Sequence, residues 1–354
     1  MKKQKILYWD VGKSSFVKKD LEILRSEFRV CDYTFQPSRN LFILFEFFRQ
    51  FIICMIHVWT CRIVVCQFAG YHSLIPLVVF KLYGRKSLII AGGTDCVAFP
   101  SIKYGNFQKK YLRWFTVCSF KLTDIIAPVD ESLIFYDYSY QSCDYVSQGY
   151  RFFVKKLKAQ DCVIYNGYDS TKFGIVSAKR KDCSFLTVAA DLSTPFSYCL
   201  KGIDLVVSAA RELPNFSFSI VGGDKLQIKD KPDNLTLLSN FDNSDLVQLY
   251  NDHQFYLQLS MSEGFPNALC EAMLCGCIPI VSDVGAMRKI VGDSGFILEK
   301  KSLDLLKALL KTATSRNFTF DDLLKARARI SEHYTLKNRQ VKLISLIEKL
   351  VGHD

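Results

Sequence analysis

The chain has 354 residues, 49% hydrophobic and 23% charged, which supports packed cores and excludes a disordered or fibrous protein. Two domains are the natural count at this length. The net charge of +11 lies wholly in residues 1–160, with 23 Lys and Arg against 12 Asp and Glu, whereas 161–354 hold 23 of each. Such asymmetry points to a polyanionic partner of the first half. No nucleic-acid-binding motif accompanies it, so nucleic acid is not expected as that partner.

Short apolar runs alternate with longer amphipathic ones. In the first half, residues 5–9, 62–68, 87–91 and 124–128 read as strands, and 14–27, 74–83 and 107–122 as helices. The stretch 41–58 is the most apolar. It carries Glu46, Arg49, Gln50 and His57, so it reads as an amphipathic helix, buried or lying on a membrane surface, rather than a spanning one. Residues 148–160 hold Arg151, Lys155, Lys156 and Lys158 with no acid and lead into a second domain. There the alternation restarts. Strands are expected at 184–189, 216–221, 235–238, 254–259 and 278–281, with helices at 202–212, 244–251 and 267–275. This order predicts an α/β protein of two doubly wound parallel-sheet domains, 1–160 and 161–335, facing a cleft, with a C-terminal helix at 336–354 that returns to the first domain.

The 13 cysteines sit inside apolar runs such as Ile53-Cys54-Met55, where a thiol acts as a small hydrophobe. The apolar run after the basic start stops at Asp10, too short for a secretory leader, so a reducing cytoplasm is the expected compartment. Cys270, Cys275 and Cys277 lack Cys-x-x-Cys pairing and a nearby histidine, and no metal site is expected.

The strongest chemical signal is Ser262-Glu263-Gly264-Phe265-Pro266-Asn267-Ala268-Leu269-Cys270-Glu271-Ala272-Met273, with Gly276-Cys277-Ile278-Pro279 beyond it. It follows a strand and opens a helix. The amides from Phe265 to Leu269 are the open donors of a helix N-terminus, an anion-binding position. Two carboxylates, Glu263 and Glu271, bracket them. A ligand carrying both phosphates and hydroxyls suits that combination, since carboxylates accept from hydroxyls.

These residues resemble the Glu-x7-Glu signature of family 4 glycosyltransferases, retaining enzymes of the GT-B fold whose bacterial members build cell-surface polysaccharides. Other stretches agree in order: Val163 to Asp169, Lys201-Gly202-Ile203-Asp204, Ile220-Val221-Gly222-Gly223, and the stretch from Asp124 to Leu133. The resemblance implies that Glu263 contacts the donor sugar, Glu271 the ribose and Lys201 the diphosphate. Gly264, Phe265, Pro266, Asn267 and Ala268 would line the donor, with Gly223 near the base. As the glycosidic bond breaks, charge builds on the leaving phosphate, and a fixed cation stabilises that state most.

Four departures from the family pattern stand out. The stretch 188–192 has no Arg before Lys201. The first-domain histidine is replaced by Gly92-Gly93-Thr94-Asp95, leaving Asp95 as the catalytic candidate there, with His72 as another possibility. The first glycine turn is reduced to Gly12. Asn240 stands where a glycine is expected after Leu238. No Asp-x-Asp triplet occurs, which fits metal-independent chemistry.

The expectation is therefore a hexosyl- or N-acetylhexosaminyl-type transferase using a UDP- or GDP-sugar as co-substrate, without a further cofactor. Its expected acceptor is a lipid-linked saccharide, and its expected place is the cytoplasmic face of an anionic membrane. The alternative is a non-catalytic subunit of the same fold. A dinucleotide oxidoreductase is excluded because no Gly-x-Gly-x-x-Gly follows a strand.

Overall fold

The computed structural model describes residues 3–36, 42–189, 192, 194–239, 241 and 243–352. Asn240, and positions 41, 190 and 191 of the stretches 41–58 and 188–192 considered above, lie outside them. The chain forms two compact units. Residues 1–137, 147–167 and 337–354 make the first, and 138–146 and 168–336 the second.

The first unit is built on six parallel strands: β1 (Lys5–Asp10), β2 (Arg29–Thr34), β3 (Ile63–Gln67), β4 (Lys86–Ala91), β5 (Ile125–Pro128) and, beyond the short antiparallel pair β6 (Tyr136–Asp137) and β7 (Ser147–Gln148), β8 (Gln160–Asp161). Their spatial order is β2-β1-β3-β4-β5-β8. Inner strands of such a sheet are covered on both faces and read as unbroken apolar runs. Accordingly β3, Ile-Val-Val-Cys-Gln, is buried at every position. β2 is an edge strand of mixed polarity, Arg-Val-Cys-Asp-Tyr-Thr, and carried no such signal in the sequence. β8 pairs with β5, so the basic stretch 148–160 belongs to the first unit, which runs on to Gly167.

Helices α1 (Ser15–Glu27), α2 (Phe42–His57), α3 (Tyr71–Leu82), α4 (Lys110–Leu122) and the single turn α5 (Tyr150–Phe153) cover this sheet. The helix expected over 107–122 is split by an extended Lys109, with a 3-10 turn at Asn106–Gln108 before it. Pro76 sits inside α3. A proline there has no N–H for the carbonyl four residues back. That carbonyl, His72 O, accepts instead from the fully buried Gln50 Nε2 of α2. The exchange fixes which face of α2 points inward.

The C-terminal helix Leu336–Val351 closes the first unit through Arg339. This buried guanidinium forms a two-pronged pair with Asp20 of α1, at 2.6 and 2.7 Å, and donates to the carbonyls of Ile164 and Tyr165.

The second unit repeats the plan. Its strands are β9 (Lys181–Val188), β10 (Ser217–Val221), β11 (Leu235–Leu238), β12 (His253–Gln258), β13 (Ile278–Ser282) and β14 (Phe296–Leu298). They are all parallel, in the order β11-β10-β9-β12-β13-β14. The connecting helices are α6 (Pro195–Leu200), α7 (Ile203–Glu212), α8 (Asn243–Asp252), α9 (Asn267–Leu274), α10 (Met287–Val291), α11 (Leu303–Ser315) and α12 (Phe320–His333). Phe185 lies at the centre, stacked on Phe218 at 5.2 Å and Phe255 at 5.0 Å. The chain reverses direction across the sheet between β9 and β12. Ligands of doubly wound sheets bind outside the carboxyl ends of strands at such a switch point.

Candidate functional site

The carboxyl end of β12 is that switch point, and Glu263 stands just beyond it. Its Oε1 accepts three hydrogen bonds, from Lys201 Nζ at 2.7 Å, Ser260 Oγ at 2.8 Å and Gln258 Nε2 at 3.0 Å. The Gln258 amide is itself oriented, because its Oε1 accepts from the buried Tyr256 hydroxyl at 3.0 Å. Burial raises the Tyr256 pKa, and the carboxylates of Glu263 and Glu271 push the same way. The hydroxyl therefore stays protonated and keeps donating. Tyr256, Gln258 and Ser260 form a relay that holds Glu263. The sequence reading missed all three, although polar residues at every second position of an otherwise apolar run were a visible sign.

Two glycines make the close approach possible. Gly202 caps α7 at φ +69, and a Cβ there would meet the Leu259 carbonyl oxygen at 2.0 Å. Met261 N also donates to Leu200 O at 2.8 Å. Together these dock the α6–α7 junction on the end of β12 and set Lys201 beside Glu263. Gly285, at φ +55, passes under the Glu263 carbonyl, where a Cβ would come within 1.9 Å. Lys201 keeps 31% of its side chain exposed and Glu263 12%, so the pair is open to a ligand on one side.

Gly264, Phe265 and Pro266 are buried in the turn that leads to α9. The Phe265 ring packs against Tyr168 and Tyr334, at 6.3 and 5.1 Å between centroids. The Asn267 Oδ1 accepts from the Tyr168 hydroxyl at 2.8 Å. Pro266 occupies the cap of α9 and supplies no side-chain acceptor to its first amides. Ala268 and Glu271 are half-buried on the same helix. Glu271 is one turn on from Asn267, on the same face. The arrangement can accept an anion at the α9 N-terminus and hydroxyl donors at its carboxylates.

The remaining candidates have other surroundings. The Gly223 amide donates to Leu238 O, and it is Gly222 that takes the positive φ of +80. The Gly12 amide donates to Asp10 Oδ1 at 3.1 Å, and nothing stands within 4 Å of where a Cβ would be. Asp95 is buried and accepts backbone amides of Ala69, Gly92 and Gly93 at 3.0 to 3.2 Å. It clamps the turn after β4 to the turn after β3. Burial also pushes its pKa up. His72 is buried, its Nε2 bonded to Gln67 O at 2.9 Å, and burial lowers its pKa to about 4. Its surroundings are structural.

All 13 cysteines are free thiols. Cys31, His57 and Cys61 bring one ligand atom each within 4.8 Å of one another. Among the described residues no other such group occurs, and Cys270, Cys275 and Cys277 do not form one. His57 and Cys61 stand four residues apart at the end of α2 and just beyond it, and only strand pairing brings Cys31 of β2 to them.

Residues 198–334 match the family model described as Glycosyl transferases group 1. That span holds Lys201, Glu263 and Glu271. No curated protein matches the chain. Solved structures similar to it include sucrose-phosphate synthase from Thermosynechococcus elongatus, with a TM-score of 0.71 at 14% identity over 98% of this chain and 99% of that one. The Anabaena protein HepE in complex with UDP gives 0.68 at 12% identity, over 98% and 100%. The lipopolysaccharide outer core galactosyltransferase WaaB gives 0.65 at 15% identity, over 97% and 100%. The chain has the GT-B fold of these glycosyltransferases.

Proposed function

We propose that the chain is a metal-independent, retaining family 4 glycosyltransferase. It moves a hexosyl or N-acetylhexosaminyl group from a UDP- or GDP-sugar to a hydroxyl of a lipid-linked saccharide, in surface polysaccharide synthesis. It works as a cytoplasmic protein peripheral to the inner face of the membrane. The observation that carries this reading is the contact of Lys201 with Glu263 at the switch point of the second unit, beside the uncapped start of α9.

In this reading Lys201 and the first amides of α9 hold the donor diphosphate and stabilise the charge that grows on it as the bond to the sugar breaks. Glu263 and Glu271 accept from sugar and ribose hydroxyls. The complex of HepE with UDP supports a nucleotide donor, and the description of WaaB as a lipopolysaccharide outer core galactosyltransferase supports a saccharide of the cell surface.

A thermal-shift screen of UDP-, GDP- and ADP-sugars tests the donor, since ligand at 100 times its Kd stabilises by roughly 2.7 kcal/mol. No shift with any of them would count against the reading. The second reading, a non-catalytic subunit, is favoured by the absence of Arg from 188–192. Donor hydrolysis or transfer by the purified chain separates the two.

A further inference from the structure

The outer side of α2 carries an apolar stripe that the first unit does not cover. Leu44, Phe45, Phe48, Ile52 and Ile56, with Trp59 in the turn just past the helix, are 41–66% exposed, the first five at spacings that put them along one side of the helix. A water-facing helix places polar residues there. The opposite side is anchored: Gln50, Cys54 and Val58 are fully buried, and Gln50 holds the His72 carbonyl freed by Pro76. The stripe is therefore fixed outward.

α3 packs against both α2 and α4, and these neighbours continue the pattern. Leu82 is 79% exposed, and Tyr111 and Trp114 of α4 stand out among the exposed Lys109, Lys110 and Arg113. From the start of α2 to residue 123 the sequence holds ten Lys and Arg against two acids: Glu46, which is half-buried and paired with Arg49, and Asp95, which is buried and taken up by backbone amides. Apolar and aromatic side chains bordered by basic ones, with one acid of the stretch paired to Arg49 and the other buried, match the depth profile of an anionic lipid leaflet. A second copy of the same face would oppose positive charge to positive charge. Among the described residues no helix is long and apolar enough to cross a membrane, so the contact is interfacial.

We infer that the outer side of α2, with the exposed residues of α3 and α4, is a docking face for an anionic lipid leaflet, the α2 stripe entering the boundary between headgroups and acyl chains. This deepens the lipid-linked acceptor reading above and rests on it only for its biological purpose. Each basic residue at the leaflet strengthens binding roughly fivefold.

The test is flotation of the full chain with phosphatidylcholine vesicles, with and without phosphatidylglycerol, read together with tryptophan emission. Trp9 is fully buried while Trp59 and Trp114 are exposed, so an emission change reports the face itself. The chain should float with anionic vesicles only. Its emission should shift to the blue and be quenched by brominated acyl chains. The double variant Phe48→Glu, Ile52→Glu should bind at least about tenfold more weakly, with an unchanged Tm because both positions are exposed. It should still transfer sugar to a water-soluble acceptor analogue, which keeps failure of docking distinct from failure of the transferase reading. Equal recovery from neutral and anionic vesicles, or unaltered flotation of the double variant, would overturn the inference. So would a dimer of the wild type that the double variant abolishes, since a second copy would then own the face.

Discussion

Lys201 Nζ and Glu263 Oε1 lie 2.7 Å apart, joined across 62 positions of sequence because Gly202 lets α7 start against the carboxyl end of β12. The carboxylate holds the cation that the proposed chemistry needs. A diphosphate entering beside it would share or take over that cation without moving it far.

Replacing Lys201 with Ala should leave a folded protein, since the side chain is partly exposed, and lower kcat/KM at least about tenfold. Charge-assisted hydrogen bonds contribute roughly 1.5–3 kcal/mol. Glu271→Ala should behave likewise. Steady-state kinetics with the cognate donor provide the check. Wild-type turnover by folded Lys201→Ala would remove this residue from the site.

Gly202→Ala probes the backbone rather than the charge. The new Cβ meets the Leu259 carbonyl oxygen at 2.0 Å, and the residue must also hold a left-handed conformation. The conformation alone costs roughly 1–2 kcal/mol for a residue with a Cβ. Lower Tm and a loss of activity beyond that of Lys201→Ala are expected. A variant with unchanged Tm and kcat would show that the α7 start does not set the Lys201 position.

Arg339→Ala leaves Asp20 buried and unpaired, which should destabilise the protein by about 3–5 kcal/mol. The double variant Asp20→Leu, Arg339→Met should recover much of that loss, because no buried charge is then left uncompensated. Urea unfolding of the wild type, Asp20→Leu, Arg339→Met and this double variant measures the cycle. Additive losses would contradict a coupled pair.

Acid sensitivity should follow His72. Its folded pKa of about 4 lies below the ordinary 6.5, because burial disfavours the charged ring. The unfolded chain then takes up a proton that the folded one refuses. The contribution is complete above pH 6.5 and is lost progressively as pH falls towards 4, up to about 3 kcal/mol. His72→Gln should flatten the dependence of stability on pH in that window. An unaltered slope would assign the acid sensitivity to other groups.

Activity should survive EDTA, as expected of a sequence without an Asp-x-Asp triplet whose proposed diphosphate site is Lys201 and the start of α9. Loss of turnover in EDTA, restored by magnesium or manganese, would refute metal-independent transfer.

The sequence alone determined what depends on near neighbours. Apolar runs at strand length and helical periodicity located most strands and helices of both sheets, because a covered parallel sheet demands unbroken apolar strands. The run from Glu263 to Met273 placed a strand end, a glycine turn and a helix start together. Edge strand β2 escaped notice because one mixed-polarity strand at a rim lacks that demand.

Only the tertiary structure decided which distant groups meet. Strand order set the switch point beside β12, and no local pattern records strand order. Close backbone approach, permitted by Gly202 and Gly285, brought Lys201 to Glu263. Desolvation shifted the pKa of Asp95 up and that of His72 down, and burial depends on the whole fold. The pairing of Arg339 with Asp20, 319 positions apart, was invisible for the same reason: a charge reveals its partner only once the chain has removed both from water.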